Sequence, residues 1–144
     1  MYTVTVFVAI LALSTATTFK DCGSKNGKVN SVTVTPCNEF PCILHRGTSA
    51  NVAIEFVSNV NSNKLTGSVH GILAGIPIPF PIPESDGCKS GVACPVTTGT
   101  TYTYKASIPV KSIYPSVKVV VKWELKDDNG DDIVCITLPA EIQD

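Results

Sequence analysis

Charge is scarce in this chain. Only 16 % of its 144 residues are Asp, Glu, Lys or Arg, and the formal net charge is -1. With so little charge of either sign, long-range electrostatic steering cannot set partner choice. The basic residues are scattered and form no stripe that could track a phosphate backbone, so nucleic acid is not an expected ligand. Histidine is equally rare: His45 and His70 are the two candidates for general acid-base work near neutral pH, and neither stands in a nucleophile elbow or a zincin motif. His70 reads as a structural residue. Gly71 and Gly75 lack the Lys-Ser or Lys-Thr that follows a phosphate-cradling loop. The expectation is a non-enzyme without cofactor or metal. Helical periodicity is missing too, and beyond Leu13 every apolar run is broken by Pro, Gly or alternating polar residues, which leaves no membrane-span candidate.

What is present begins with an apolar stretch from Val4 to Leu13, followed by the small residues Ser14, Thr15 and Ala16. It is too short to span a bilayer and reads as a signal peptide over residues 1–16, despite the missing Lys or Arg before it. Residues 17–144 then form one exported domain. Six cysteines remain, an even number that argues for disulfides among about 15 formal pairings. Cys37 and Cys42 close one short loop, Cys88 and Cys94 another, and Cys22 is left with Cys135. That last link would contribute ~4 to 5 kcal/mol in the chain-entropy model. A zinc site using Cys42 and His45 is disfavoured, because zinc sites usually show a tighter Cys-x-x-Cys knuckle and a second one to complete four ligands.

Residues beyond Cys22 alternate with a period of two. Val32 and Val34, then Ala50, Val52, Ile54 and Phe56, then Tyr102 to Val110, then Val117, Val119, Val121, Trp123 and Leu125 each form an apolar stripe. This predicts an all-β, immunoglobulin-like β-sandwich of about seven strands. Asn129-Gly130 lies between the last two strand patterns and predicts a hairpin. Its carboxylates do not match an EF-hand loop, so a solvated acidic turn is expected. Between His70 and Pro83 apolar residues occupy both faces, with proline at 77, 79, 81 and 83. Proline cannot donate to a central ladder, so the segment is predicted to be an edge strand or extended wall; the period of two and the absence of flanking Arg argue against an SH3 ligand. Phe56, Phe80, Tyr102, Tyr104, Tyr114 and Trp123 are placed on the inner faces. Such faces either pack solid or leave a gap that admits a hydrophobic guest, and composition is compatible with both.

The string VHGILAGIPIPFPIPESDGCKSGVACP from Val69 to Pro95 resembles the soluble Niemann-Pick type C sterol-binding family of the ML lipid-recognition superfamily. The resemblance extends to FKDCGS at 19–24, the Cys37/Cys42 loop, IPVKSIYPS at 108–116 and VVVKWELKDD at 119–128. It implies a ligand cavity between the sheets and the disulfides Cys22–Cys135, Cys37–Cys42 and Cys88–Cys94. It implies non-catalytic carriage of one sterol or fatty acid, with Phe80, Val110 and Tyr114 lining the tunnel and Trp123, Leu44 and Ile108 at further wall positions. Ile72, Leu73, Ala74, Gly75, Ile76 and Ile78 would form the tunnel mouth, in transient contact with a membrane or a membrane sterol transporter. A monomer is expected.

Two departures from that family bear on these expectations. No Asn-x-Ser/Thr occurs in the sequence, so glycan-directed lysosomal delivery is unsupported and an extracellular location is expected. Val134 and Ile136 stand where some members carry aromatics beside the last cysteine. Alternative readings are a chemosensory carrier of fatty acids or semiochemicals, an innate-immune lipid-binding protein, and a solid-cored adhesion module.

Overall fold

The computed structural model describes residues 16–144, so the expected signal peptide, apart from Ala16, lies outside the described residues. The strands are β1 (Lys20–Asp21), β2 (Gly27–Thr35), β3 (Cys42–His45), β4 (Ser49–Ser58), β5 (Thr66–Leu73), β6 (Ile76–Pro79), β7 (Thr101–Pro109), β8 (Lys118–Lys126) and β9 (Asp132–Gln143). One antiparallel sheet has the order β2-β4-β7; the other runs β1-β9-β8-β5-β6, with β3 also paired to β9. Among the described residues there are thus nine strands, not about seven. The surplus comes from pieces such as β1 and β3, with two and four residues, which are too short to display an alternation. Both cover one edge of β9: β1 pairs antiparallel at Ile136 and Thr137, β3 pairs parallel from Ala140 to Gln143.

The stripes read from sequence face the core. Val32, Ala50, Val52, Ile54, Phe56, Tyr104, Ile108, Trp123 and Leu125 are all buried, and their alternate neighbours on β2, β4 and β7 carry the exposure. Tyr102 keeps the expected inner face, opposite Phe56 across the β4–β7 ladder, but at its margin. It is half-buried against Phe56, and its hydroxyl accepts the Thr97 N–H at 2.9 Å at the sheet margin. The three disulfides are those argued from spacing.

The segment divides: His70–Leu73 belong to β5, an interior strand between β6 and β8, while Ile76–Pro79 form the sheet edge as β6, paired among the described residues only to β5. The N–H of Phe80 donates to Val69 O at 2.9 Å. With a period of two, the amides of Ile76 and Ile78 also point toward β5, and those of positions 77 and 79 point outward. Proline at both outward positions has no N–H to offer, which makes the edge a poor template for another strand.

Asn129-Gly130 does join β8 to β9, but the acidic turn is not merely solvated. The backbone N–H groups of Asn63 and Lys64 donate to Asp128 at 2.9 and 2.8 Å, and the bond from Asn63 holds its carboxyl below the usual range. Asp127 is buried and accepts from Asn129 N, Asp131 N and Asn26 Nδ2. These carboxylates are used as loop acceptors, a role that alternation in sequence does not reveal.

A second carboxyl pair has a consequence for stability. Glu124 and Asp132 bring ligand-type oxygens within 4.8 Å of each other beside Cys135, while Lys122 and Lys126 lie 3.9 and 3.8 Å from Glu124. Burial, followed by the neighbouring Glu124 carboxylate, pushes Asp132 from 3.8 up to about 7. The folded state therefore keeps a proton that the unfolded state releases. The stabilisation is full below pH 3.8 and is lost as pH rises through about 7. Thermal unfolding followed by circular dichroism should give a higher Tm near about pH 5.5 than near about pH 8. Asp132→Asn should flatten that difference; a variant that retains it would locate the response elsewhere.

Candidate functional site

The inward-facing side chains shrink along the sandwich. On β4 they run Phe56, Ile54, Val52, Ala50; on β8 Leu125 and Trp123 give way to Val121 and Val119, with Val117 just before the strand. At the broad end Trp123, Tyr104, Phe56, Ile54, Leu65 and Leu125 are fully buried, and Tyr104 stands edge-on to Trp123 with ring centroids 5.9 Å apart. Burial there pushes the Tyr104 phenol up to about 12, since a phenolate would be stranded in low dielectric.

Toward the narrow end the side chains no longer meet. An apolar cleft of about 100 Å³ opens among Gly71, Phe80, Tyr114, Val117, Val119 and Ile142. A deeper space of about 20 Å³ is bounded by Leu44, Ala50, Val52, Ile108, Val121 and Trp123. Val119 borders the first and Val121 the second, so the two spaces lie in line along β8, roughly 7 Å or one same-face step apart. Gly71 explains part of the opening. A Cβ placed there would meet only Phe80 Cδ2, at 3.9 Å, so the cleft occupies room that a side chain would otherwise fill. Larger hollows occur elsewhere, such as about 370 Å³ on the outer face of the β2-β4-β7 sheet between Thr33, Asn51 and Lys105. That surface is shallow and edged by polar groups, and it lacks the enclosure an apolar guest requires.

The expected wall residues divide between these spaces. Phe80 and Tyr114 meet at the cleft with ring centroids 4.8 Å apart. Leu44, Ile108 and Trp123 bound the deeper space. Val110 borders neither: it is 2 % exposed, and its N–H and C=O are tied to Thr48 O and Gly47 N at 2.8 and 2.7 Å, which fix it in packed core just past the end of β7. Of the expected mouth residues, Leu73 and Ile78 line the cleft. Ile72 pairs across the sheet with Val120 and Pro77, Ala74 and Gly75 form the β5–β6 turn, and Ile76 is 64 % exposed. Sequence reading missed Gly71, Pro115 and Ile142 as cleft residues. Val117 and Val119 were legible as an inward stripe, but nothing in one stripe says which strands it faces.

The site has little capacity for acid-base chemistry. His45 is exposed with Nδ1 2.9 Å from the main-chain oxygen of Asp144, Cys42, with which it would have made the disfavoured zinc site, is in a disulfide, and His70 lies in register with Lys122 on the face of β5 opposite Val69. The polar atoms in this interior are the Tyr114 hydroxyl, the Tyr104 hydroxyl and Trp123 Nε1, each buried without a hydrogen-bond partner. Leaving such groups unpaired costs about 1–3 kcal/mol each.

A chain with this fold and apolar cleft can be compared with known proteins. A family model described as ML domain matches residues 16–142. The chain belongs to the ML domain family. This ML domain is 52 % identical over 132 residues to the NPC intracellular cholesterol transporter 2 of Bos taurus, spanning 92 % of this chain and 89 % of the bovine protein. It is 40 % identical over 145 residues to the NPC intracellular cholesterol transporter 2 homolog a of Drosophila melanogaster, spanning 99 % of this chain and 98 % of the fly protein. Among solved structures it resembles a Niemann-Pick type C2 protein from the Japanese carpenter ant, with TM-score 0.83 and 29 % identity over 88 % of this chain and all of the ant chain. Chicken MD-1, crystallised with lipid IVa, shares the fold at 13 % identity and TM-score 0.54, covering 84 % of this ML domain and 85 % of the chicken chain.

The hairpin at the cleft offers a direct test of local geometry. Ala74 and Gly75 have φ of 51° and 80°, the two left-handed positions of a type I′ turn, which Asn adopts at less cost than Ala. Ala74→Asn should stabilise the domain by about 0.5–1 kcal/mol in denaturant unfolding. A destabilised variant would exclude this turn type.

Proposed function

We propose that this ML domain binds one apolar lipid, a sterol or a fatty acid, between its sheets and carries it without chemical change. The observation that carries the reading is the alignment of the cleft and the deeper space along the inner face of β8, with apolar walls throughout. Relatives at about half identity named as cholesterol transporters support it. Absence of catalysis fits the placement of both histidines away from the cleft.

Spaces of about 100 and 20 Å³ fall short of the roughly 300–1,000 Å³ typical of ligand sites, so loading must spread the walls. Side-chain contacts, not ladder hydrogen bonds, join the two inner faces at this end. Spreading them therefore breaks apolar contacts that the guest replaces. A sterol-sized guest burying about 400 Å² at ~25 cal/mol per Å² gains near ~10 kcal/mol before association costs. Ile76, Ile78 and Ile113, exposed by 64, 47 and 83 %, form the apolar approach through which a membrane or transporter would receive the lipid. Among the described residues no helix is long and apolar enough to cross a membrane, and the proposed setting is extracellular.

Gly71→Val is the sharpest variant, because its Cβ fits without clash and its methyl groups enter the cleft. Titration with a fluorescent sterol should show at least about tenfold weaker binding, a loss of ~1.4 kcal/mol, with Tm retained. Phe80→Ala, which removes the facing wall, should weaken binding as well. Unchanged affinity in both variants would reject the site. Competition by long-chain fatty acids decides between the two ligand classes.

A further inference from the structure

The segment carrying Tyr114 crosses from β7 in one sheet to β8 in the other, at the open end of the sandwich. Its anchorage is sparse. Within residues 111–116, Tyr114 N donates to Lys111 O at 3.1 Å, a bond internal to the segment. Among the described residues a single hydrogen bond reaches these positions from the rest of the protein: Arg46 Nη1 donates to Tyr114 O at 2.9 Å. The same guanidinium pairs through Nη2 with the Asp144 carboxylate.

Arg46 is itself firmly placed. Its backbone N–H donates to Gln143 O at 2.7 Å, and the next residue, Gly47, donates to Val110 O at 2.7 Å. The main chain of residues 46–47 thus bridges the end of β9 to the end of β7, and the Arg46 side chain extends from that bridge to the Tyr114 carbonyl. Its side chain is 23 % exposed, whereas that of Asp144 is 87 % exposed. The Asp144 pair is therefore screened by water and salt, and the partly buried, charge-assisted bond to the carbonyl is the stronger constraint. Tyr114 in turn holds its ring against Phe80 with centroids 4.8 Å apart at the cleft.

We propose that Arg46 is the positioning residue of the cleft, a latch that fixes the Tyr114 segment and so sets how fast a lipid passes in and out. This rests on the lipid-binding reading above. A guest moving between solvent and the deeper space must displace the Tyr114 ring, and that motion breaks the Arg46 bond. The latch touches the protein backbone, not the guest, so it holds the empty and loaded forms shut alike. Its removal lowers the barrier in both directions and leaves the equilibrium nearly unchanged.

Two measurements on the full domain test this independently. Hydrogen exchange of Arg46→Met should show faster exchange at the Tyr114 amide, the bonded N–H of this segment, with the strands protected as in the wild type. Stopped-flow uptake of a fluorescent sterol, and its release to phosphatidylcholine vesicles, should both accelerate by about tenfold, the effect of losing ~1.4 kcal/mol from one charge-assisted bond. The dissociation constant should stay within about twofold. Asp144→Asn should change both rates little. Arg46→Lys keeps the charge but not the fork; it should loosen the same segment and serves if the Met variant does not fold. Unaltered exchange at the Tyr114 amide overturns the latch, and a loosened segment with unaltered rates overturns its role in lipid passage. Weaker affinity arising from faster release alone would show Arg46 to be a structural residue of the wall. Should the wild type take up no sterol or fatty acid, the lipid reading fails, while hydrogen exchange still decides the latch.

Discussion

Two sheets about 10 Å apart must be filled by side chains that become smaller along their length, and the rest of this molecule follows from that mismatch. The ladders hold each sheet rigid, and Cys37–Cys42 ties the segment after β2 to β3 in the opposite sheet. The layers cannot simply tilt together where Phe56 and Trp123 give way to Ala50 and Val119. The unfilled volume costs little. At ~24 cal/mol per Å³, the deeper space of about 20 Å³ amounts to ~0.5 kcal/mol. The Cys22–Cys135 link, closing a separation of 113 residues, contributes ~5 kcal/mol in the chain-entropy model. A link closing so long a loop thus lets a small domain keep an incomplete core.

The same mismatch divides the molecule into a fixed and a movable end. At the broad end the β8–β9 turn is held by Asp127 and Asp128, whose carboxylates accept backbone N–H groups from within the turn and from residues 63 and 64. The aromatic packing of Tyr104 on Trp123 lies next to it. At the narrow end the connections include a two-residue turn at Ala74-Gly75 and a segment tied from outside by one arginine. Local opening draws on regions with few buried contacts and few backbone hydrogen bonds, which confines it to the end where the apolar spaces lie.

Much of this was legible in the sequence because period-two alternation and short cysteine loops are local signals. The β4 stripe Ala50-Val52-Ile54-Phe56 could be read directly, and so could the edge position of the proline run. Other features depend on distances across the fold that no local pattern encodes. Gly71 looks like any glycine until its missing side chain is seen to face Phe80. Val110 continues the β7 stripe in sequence, yet backbone bonds to Gly47 and Thr48 hold it in packed core. Asp132 lies in an acidic run and reads as solvated; its shift comes from burial against Glu124, which the register of β8 and β9 brings near. Arg46 carries no sequence signal, because its partner is a main-chain carbonyl and any residue at position 114 would supply one.

The proline segment reconciles two demands that a lipid-carrying role places on one surface. An apolar hairpin with Ile76 and Ile78 exposed offers side chains to acyl chains, and the same exposure on a sheet edge would ordinarily invite pairing with a second copy. The two kinds of contact use different atoms. Lipid contact needs apolar side-chain area, whereas strand addition needs outward backbone N–H groups. Prolines at 77 and 79 remove those donors while adding apolar area of their own, so the surface keeps the apolar area that the proposed lipid contact requires and loses its capacity to template a strand.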